Sequence, residues 1–168
     1  KKRSIKKRKM TAKEKAAAKE KVVQLGKKLV SDIEKGTNPS IEVPVRSLSN
    51  ISFDTKAKTL VLGDKKAKRF FFNIGHVRKF TQTIEIAKIA KTLLEAGKHA
   101  SLRDVFYMAK RTIPNTDINI VDEQSETDNA IEDLELISDL SRERLHMNAN
   151  KMGSVAGKVV IEDKGDTI

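Results

Sequence analysis

The chain contains a single tyrosine, Tyr107, and it stands among cations: Arg103 lies four residues before it, Lys110 three after and Arg111 four after. On a helix of 3.6 residues per turn, those spacings gather the four side chains on one face. The apolar residues Leu102, Val105, Phe106 and Ala109 recur at i, i+3, i+4 and i+7 and define a separate, buried stripe. Tyr107 therefore points outward. Two kinds of chemistry fit an exposed phenol on a basic helix. It can stack on a base or contact a phosphate, or it can attack phosphorus. A phenol is a poor nucleophile at neutral pH, and neighbouring positive charge favours the phenolate it must become. The same cations would hold the phosphate. Attack would store the phosphodiester energy in a phosphotyrosyl bond, so the broken strand could be resealed without a further energy source.

Other chemistries find little support. No cysteine is present, which excludes disulfides, thiol nucleophiles and cysteine zinc sites. His76, His99 and His146 are scattered without metal-ligand spacing and read as capping, packing or surface residues. Gly63-Asp64-Lys65-Lys66 lacks the first glycine and the final Ser or Thr of a phosphate loop. No metal site and no nucleotide site is expected in this chain.

Several elements must position Tyr107. Ser101 precedes its helix with Asp104 three residues on, a capping-box pattern that starts the helix at Leu102. Before it, Ile86, Ala87, Ala90, Leu93 and Leu94 recur at helical spacing over Thr83–Ala96 and Gly97 ends the run, so the two helices read as a helix-turn-helix. Residues 117–145 are acidic and helical in pattern, and the glycine-bearing stretch from His146 to Ile161 reads as a β-hairpin. Helix, turn, helix, helix, hairpin is the order of a winged helix. Upstream, residues 1–10 form a basic tail, and Thr11–Glu34 is a helix with a thin apolar stripe, ended at Gly36. Ile41–Arg46, Ile51–Asp54, Thr59–Leu62 and Arg69–Ile74 then read as a small antiparallel meander. The expected fold class is α+β: a winged-helix domain over residues 81–162, preceded by a meander at 37–80 and a helix at 11–36.

Charge points to the partner. The net charge is +11, and it is polarised: +10 over residues 1–35, +9 over 36–116 and −8 over 117–168. A folded basic middle holds cations in a fixed pattern and suits a polyanion. A nucleic acid is the expected partner; if it is double-stranded DNA, the contacts are expected from Lys79, Lys98, Arg103, Lys110 and Arg111, and from Lys151 and Lys158 in the hairpin. No apolar run approaches membrane-spanning length, so the protein is expected to be soluble and cytoplasmic, with no membrane partner.

Three stretches resemble a known family: Asn73-Ile74-Gly75-His76-Val77-Arg78-Lys79-Phe80-Thr81-Gln82-Thr83, Ser101-Leu102-Arg103-Asp104-Val105-Phe106-Tyr107 and Asp122-Glu123-Gln124-Ser125. Together they are similar to the A subunits of archaeal type IIB DNA topoisomerases (topoisomerase VI). Around the Arg-Asp-x-aromatic-Tyr core they also resemble the meiotic double-strand-break transesterases. The resemblance implies a CAP-like winged helix in which Tyr107 forms a 5′-phosphotyrosyl link, Arg103 assists at the scissile phosphate, and Asp104 belongs to the same motif. Position 106, often a second tyrosine in relatives, is Phe106 here, which leaves one candidate hydroxyl. It further implies an A-subunit homodimer and an ATPase B subunit completing an A2B2 assembly. Magnesium would be held by a Toprim domain expected beyond Ile168, with residues 163–168 starting the connection to it. The chain alone is then expected to bind DNA weakly and to cleave it little or not at all, with the helix at 11–36 contacting the B subunit. A non-enzymatic winged-helix DNA-binding protein explains the charge and the helix pair equally well, and an RNA- or ribosome-associated scaffold explains the basic tail.

Overall fold

The computed structural model describes residues 10–56 and 58–149, together with the backbone of 162–163 and 166–167. The basic tail, the expected hairpin wing and its Lys151 and Lys158 lie outside the described residues.

Helix α1 (Ala12–Glu34) begins at Thr11, whose hydroxyl accepts from the Glu14 amide at 3.2 Å while the Glu14 carboxylate accepts from the Thr11 amide at 2.7 Å. This reciprocal cap satisfies two amides that no helical carbonyl can reach. Gly36, in the left-handed region at φ +67°, lets the chain turn away at the other end. Ala18, Val22 and Leu29 are buried by packing on α2. The apolar stripe thus largely serves its own domain and leaves Val30 and Ile33 exposed.

The four strands do not form a meander. β1 (Ser40–Pro44) pairs antiparallel with β4 (Lys66–Phe70), with Ser40 opposite Phe70 and Pro44 opposite Lys66. Inside that pair, β2 (Ile51–Asp54) and β3 (Thr59–Leu62) form their own antiparallel ribbon. The outer ladder joins segments that sequence proximity alone would not pair. It forms because the alternate residues Ile41 and Val43 bury themselves with Leu29 and Phe80.

Helix α2 (Ile74–Ala96) starts nine residues earlier than its periodicity indicated. The Asn73 side chain caps it by accepting from the Gly75 amide at 2.9 Å. β4 ends at Phe70, so Phe71 and Phe72 lie in the turn between strand and helix. Residues 74–82 contain glycine, β-branched and aromatic side chains that are indifferent helix formers. Burial of Phe80, Gln82 and Thr83 overrides that local preference.

Beyond α2 come β5 (Ala100–Ser101), α3 (Leu102–Ala109), α4 (Gln124–Ser138) and β6 (Met147–Asn148). The helix expected across 117–145 is confined to α4, because residues 110–123 form a loop clasped by the Thr112–Asn119 bridge. The main core gathers Ile86, Ile89 and Leu93 of α2, Val105 of α3, and Ile131 and Leu134 of α4, with Leu145 and Met147. Ala90, Ala109 and Ala130 let the helices approach closely. Each fully buried Ile or Leu contributes about 1.5–3 kcal/mol, so this cluster dominates the stability of the body.

β5 and β6 run parallel, Ala100 beside Met147 and Ser101 beside Asn148. His146, at φ +63°, donates from Nδ1 to the Lys98 carbonyl at 2.8 Å and stacks on His99 with ring centroids 4.1 Å apart. The exposed His99 ring thus packs on the buried His146. The chain is an α+β protein with a three-helix body. The Glu162–Asp163 and Asp166–Thr167 segments pair as short antiparallel strands, β7 and β8.

Candidate active site

The site is built on α3, whose first turn is held from both sides. Ser101 Oγ accepts from the Asp104 amide at 3.1 Å, and Asp104 Oδ2 accepts from the Ser101 hydroxyl at 2.7 Å and amide at 3.0 Å. Those hydrogen bonds hold the Asp104 carboxyl below the usual carboxylate range, the hydroxyl contributing most. Asp104 therefore acts in the structure as the partner of the helix cap. Val105 and Ala109 are fully buried and fix the rotation of α3 about its axis.

That rotation leaves Tyr107 57% exposed. Arg103, one turn earlier, reaches the phenol: its Nε lies 3.4 Å and its Nη2 3.3 Å from Tyr107 Oη. The guanidinium carbon stands 5.8 Å from the ring centroid, so it also borders the ring face. Hydrogen bonding to Tyr107 raises the Arg103 pKa above its ordinary value. Chemically, an exposed phenol oxygen sits next to a permanent cation with spare donors. A phosphate arriving at Tyr107 would meet those donors at once.

The other expected DNA contacts divide. Lys110, at the end of α3, extends along its own helix, its Nζ 5.5 Å from the Phe106 ring centroid. Arg111 turns back on the body, donating from Nε to the Met108 carbonyl at 2.9 Å and pairing through Nη2 with Glu85 on α2 at 3.1 Å. Its charge is already matched. Lys79 and Lys98 are both exposed, but Lys79 sits in the second turn of α2 and Lys98 lies past its far end, with about 25 Å of helix between Lys79 and Ala96 at 1.5 Å per residue, so the structure does not bring them into one site.

Sequence reasoning missed the network behind the site. Arg78 on α2 pairs with Asp122 at 2.7 Å and with Glu126 at 2.8 Å, and the Asp122 amide donates to Glu126 at 2.7 Å. The Arg78 hydrogen bond, the largest contribution, pulls the Glu126 carboxyl down to about 2. Gln82 adds a 2.9 Å hydrogen bond to the Ile120 carbonyl. This clamp ties the loop that follows α3 to α2. The only hint in the sequence was that Arg78 and Asp122 lie in the stretches Asn73–Thr83 and Asp122–Ser125; Glu126 falls one residue past the second.

Magnesium does not fit the carboxylates of the described residues. Among the described residues no group of three or more His, Asp or Glu side chains is arranged to hold a metal. Asp122, Glu126, Asp133 and Glu135 are each engaged by arginine, which leaves them poor metal ligands.

Residues 78–147 match the family model described as type IIB DNA topoisomerase. The chain is 43% identical over 146 residues to the A subunit of type 2 DNA topoisomerase 6 from Pyrococcus abyssi and 40% identical over 146 residues to its counterpart from Pyrococcus horikoshii. Both matches cover 87% of this chain. The Aeropyrum pernix counterpart is 37% identical over 148 residues, or 84% of the chain. In each case the chain spans about 38% of the relative's length. The matched segment contains the Arg103–Tyr107 pair, the capped helix that carries it and the Arg78 clamp behind it, and it places this chain in the type IIB DNA topoisomerase family.

Proposed function

We propose that this chain is the DNA-cleavage part of a type IIB topoisomerase A subunit, with Tyr107 as the nucleophile. The observation that carries the reading is the Arg103–Tyr107 hydrogen-bond pair on the outward face of a helix whose first turn is fixed by Ser101 and Asp104. Tyr107 Oη attacks a backbone phosphorus, the phenolic proton leaves to solvent, and the bond from phosphorus to the 3′ oxygen breaks. That oxygen takes up a proton as a free 3′ hydroxyl, and the 5′ phosphate stays on Tyr107. Arg103 holds a non-bridging phosphate oxygen and balances charge as it develops. Reversal reseals the strand, and a matching break on the other strand by a second copy of the chain opens the duplex for passage. Relaxation or decatenation follows from that passage.

In this reading α2, α3 and α4 are the helical part of a winged helix, with Lys98 and Lys110 on the nearby phosphates. Magnesium, supplied in the whole protein by a Toprim domain, would neutralise charge at the phosphate. The assembly is A2B2, with ATP on the B subunit. The exposed Val30 and Ile33 of α1 contact that ATPase. Replacing both with Asp should weaken B-subunit binding in a pull-down; undiminished capture would remove α1 from the interface.

The test uses the full-length A subunit with its B subunit, ATP, magnesium and end-labelled DNA on a denaturing gel. A protein–DNA adduct with Tyr107 and none with Tyr107→Phe establishes the nucleophile. An adduct in both means another residue attacks. No adduct in either, with duplex binding intact, favours a winged-helix protein that binds DNA without cutting it. Loss of duplex binding to excess structured RNA favours the scaffold.

A further inference from the structure

The β2–β3 ribbon presents an apolar face with little against it. Its register sets Ile51 opposite Leu62 and Phe53 opposite Leu60, and directly opposed residues of an antiparallel pair share a face. That face is therefore apolar along its whole length, and its outer pair is the most open: Phe53 is 60% exposed and Leu60 69%. A two-stranded ribbon is marginal by itself in water, yet this one has a well-built root. Asn50 is buried; its Nδ2 donates to the carbonyls of Val45 at 2.8 Å, Lys65 at 3.1 Å and Gly63 at 3.3 Å. Its Oδ1 accepts from the Lys65 amide at 3.1 Å. Gly63 fits so tightly that an added Cβ would lie 2.6 Å from Asn50 Oδ1. The root fixes the direction of the ribbon, and a fixed direction matters for an arm that must meet something.

Charge indicates what it meets. Lys56 and Lys58 lie at the tip, where Asp54 Oδ1 accepts from the Lys56 amide at 2.8 Å to close the turn, and Lys66 lies just past the root. All three are exposed, and among the described residues none makes an ion pair, unlike Lys68, which is matched by Glu42 at 3.3 Å. Three ammonium groups without an ion pair beside an apolar face call for a partner dense in negative charge, and a polyanion supplies it. Grooves of duplex DNA admit a two-stranded ribbon, and apolar side chains can be pressed against or between base steps there.

We propose that the β2–β3 ribbon is a second duplex-DNA contact, with Lys56, Lys58 and Lys66 on phosphates and the Phe53–Leu60 pair against the bases of a groove. This rests on the reading of duplex DNA as the substrate held at α3. The arm would grip the duplex away from the cut and help hold the broken ends.

The test measures duplex binding over a salt series with the full-length protein, comparing wild type with three variants whose melting is checked first. These are Lys56→Ala/Lys58→Ala/Lys66→Ala, Phe53→Ala/Leu60→Ala, and Arg103→Ala/Lys110→Ala as the reference at α3. The lysine variant should bind about tenfold more weakly near 0.15 M salt, with a log–log salt slope shallower by about 2–3, since each lost phosphate contact removes about 0.9. Phe53→Ala/Leu60→Ala should weaken binding with the slope unchanged. If only the α3 variant weakens binding, the ribbon proposal is overturned and the α3 reading stands. If wild type does not bind duplex, the reading itself falls and the ribbon proposal with it. If Phe53→Ala/Leu60→Ala leaves DNA affinity unchanged but releases a second copy of the chain or the B subunit, a protein covers this face and the proposal is likewise overturned.

Discussion

On α3 Arg103 and Lys110 face outward, while along the seam between α4 and the strands the cations face inward. Arg103 has a phenol for a partner and Lys110 only an aromatic ring, so both keep charge to offer a ligand. Across the seam, Arg69 and Arg46 both reach Asp133, which is buried on α4, and Arg46 also meets Glu132. Arg78 is taken up by Asp122 and Glu126 in the same manner. Residue type is the same in both regions; what differs is whether an acid stands across the gap. A basic sequence therefore overstates its nucleic-acid surface wherever its own acidic segment folds back on it, as the acidic residues 117–145 do here.

The comparison can be broken most decisively at α3. Tyr107→Phe should abolish the covalent DNA adduct while leaving the melting temperature unchanged; an altered fold would mean the outward face is structural after all. Arg103→Ala should keep the fold and lower the cleavage rate by about 10²–10³-fold, the range seen when one donor to a developing charge is lost. Single-turnover cleavage measures it, and a stability loss without a rate loss would move Arg103 to the inward class. On the seam the signs reverse. Arg69→Ala leaves the Asp133 carboxylate buried with weaker compensation and should destabilise the protein by about 3–5 kcal/mol in chemical denaturation. Ser101→Ala removes a cap and should cost about 1 kcal/mol.

The smallest effect is one of pH. Glu126 is held at about 2, against an ordinary value of 4.5, mainly by its hydrogen bond with Arg78. Between those values the unfolded state binds more protons, so this contribution is complete above about 4.5 and disappears as pH falls through about 2. Thermal melts should show the stability gap between wild type and Glu126→Gln closing over that window. A gap that stays constant would mean the clamp does not depend on the Glu126 charge.

What sequence reveals here is what is local. The caps at Thr11 and Ser101 each involve a partner three residues away, and the Arg103–Tyr107 pair spans one helical turn, so all of them could be read directly. The β1–β4 ladder joins residues 22 to 30 positions apart, and the start of α2 depends on Phe80 finding Ile41, Val43 and Leu29. No short pattern carries such information. Arg111 shows the same limit within the site: its spacing put it on the outward face, but a glutamate 26 residues earlier draws it inward. Phe70-Phe71-Phe72 was misleading for the opposite reason, because three aromatics in a row favour a strand until tertiary packing ends it at Phe70.

Ser101 holds two positions at once. It caps the helix that carries Tyr107, and through β5 it lies beside Asn148 of β6. The start of the helix is therefore fixed directly against β6. A displacement of β6 would reach the first turn of α3 through one residue, so the orientation of the helix that carries Tyr107 is tied to β6.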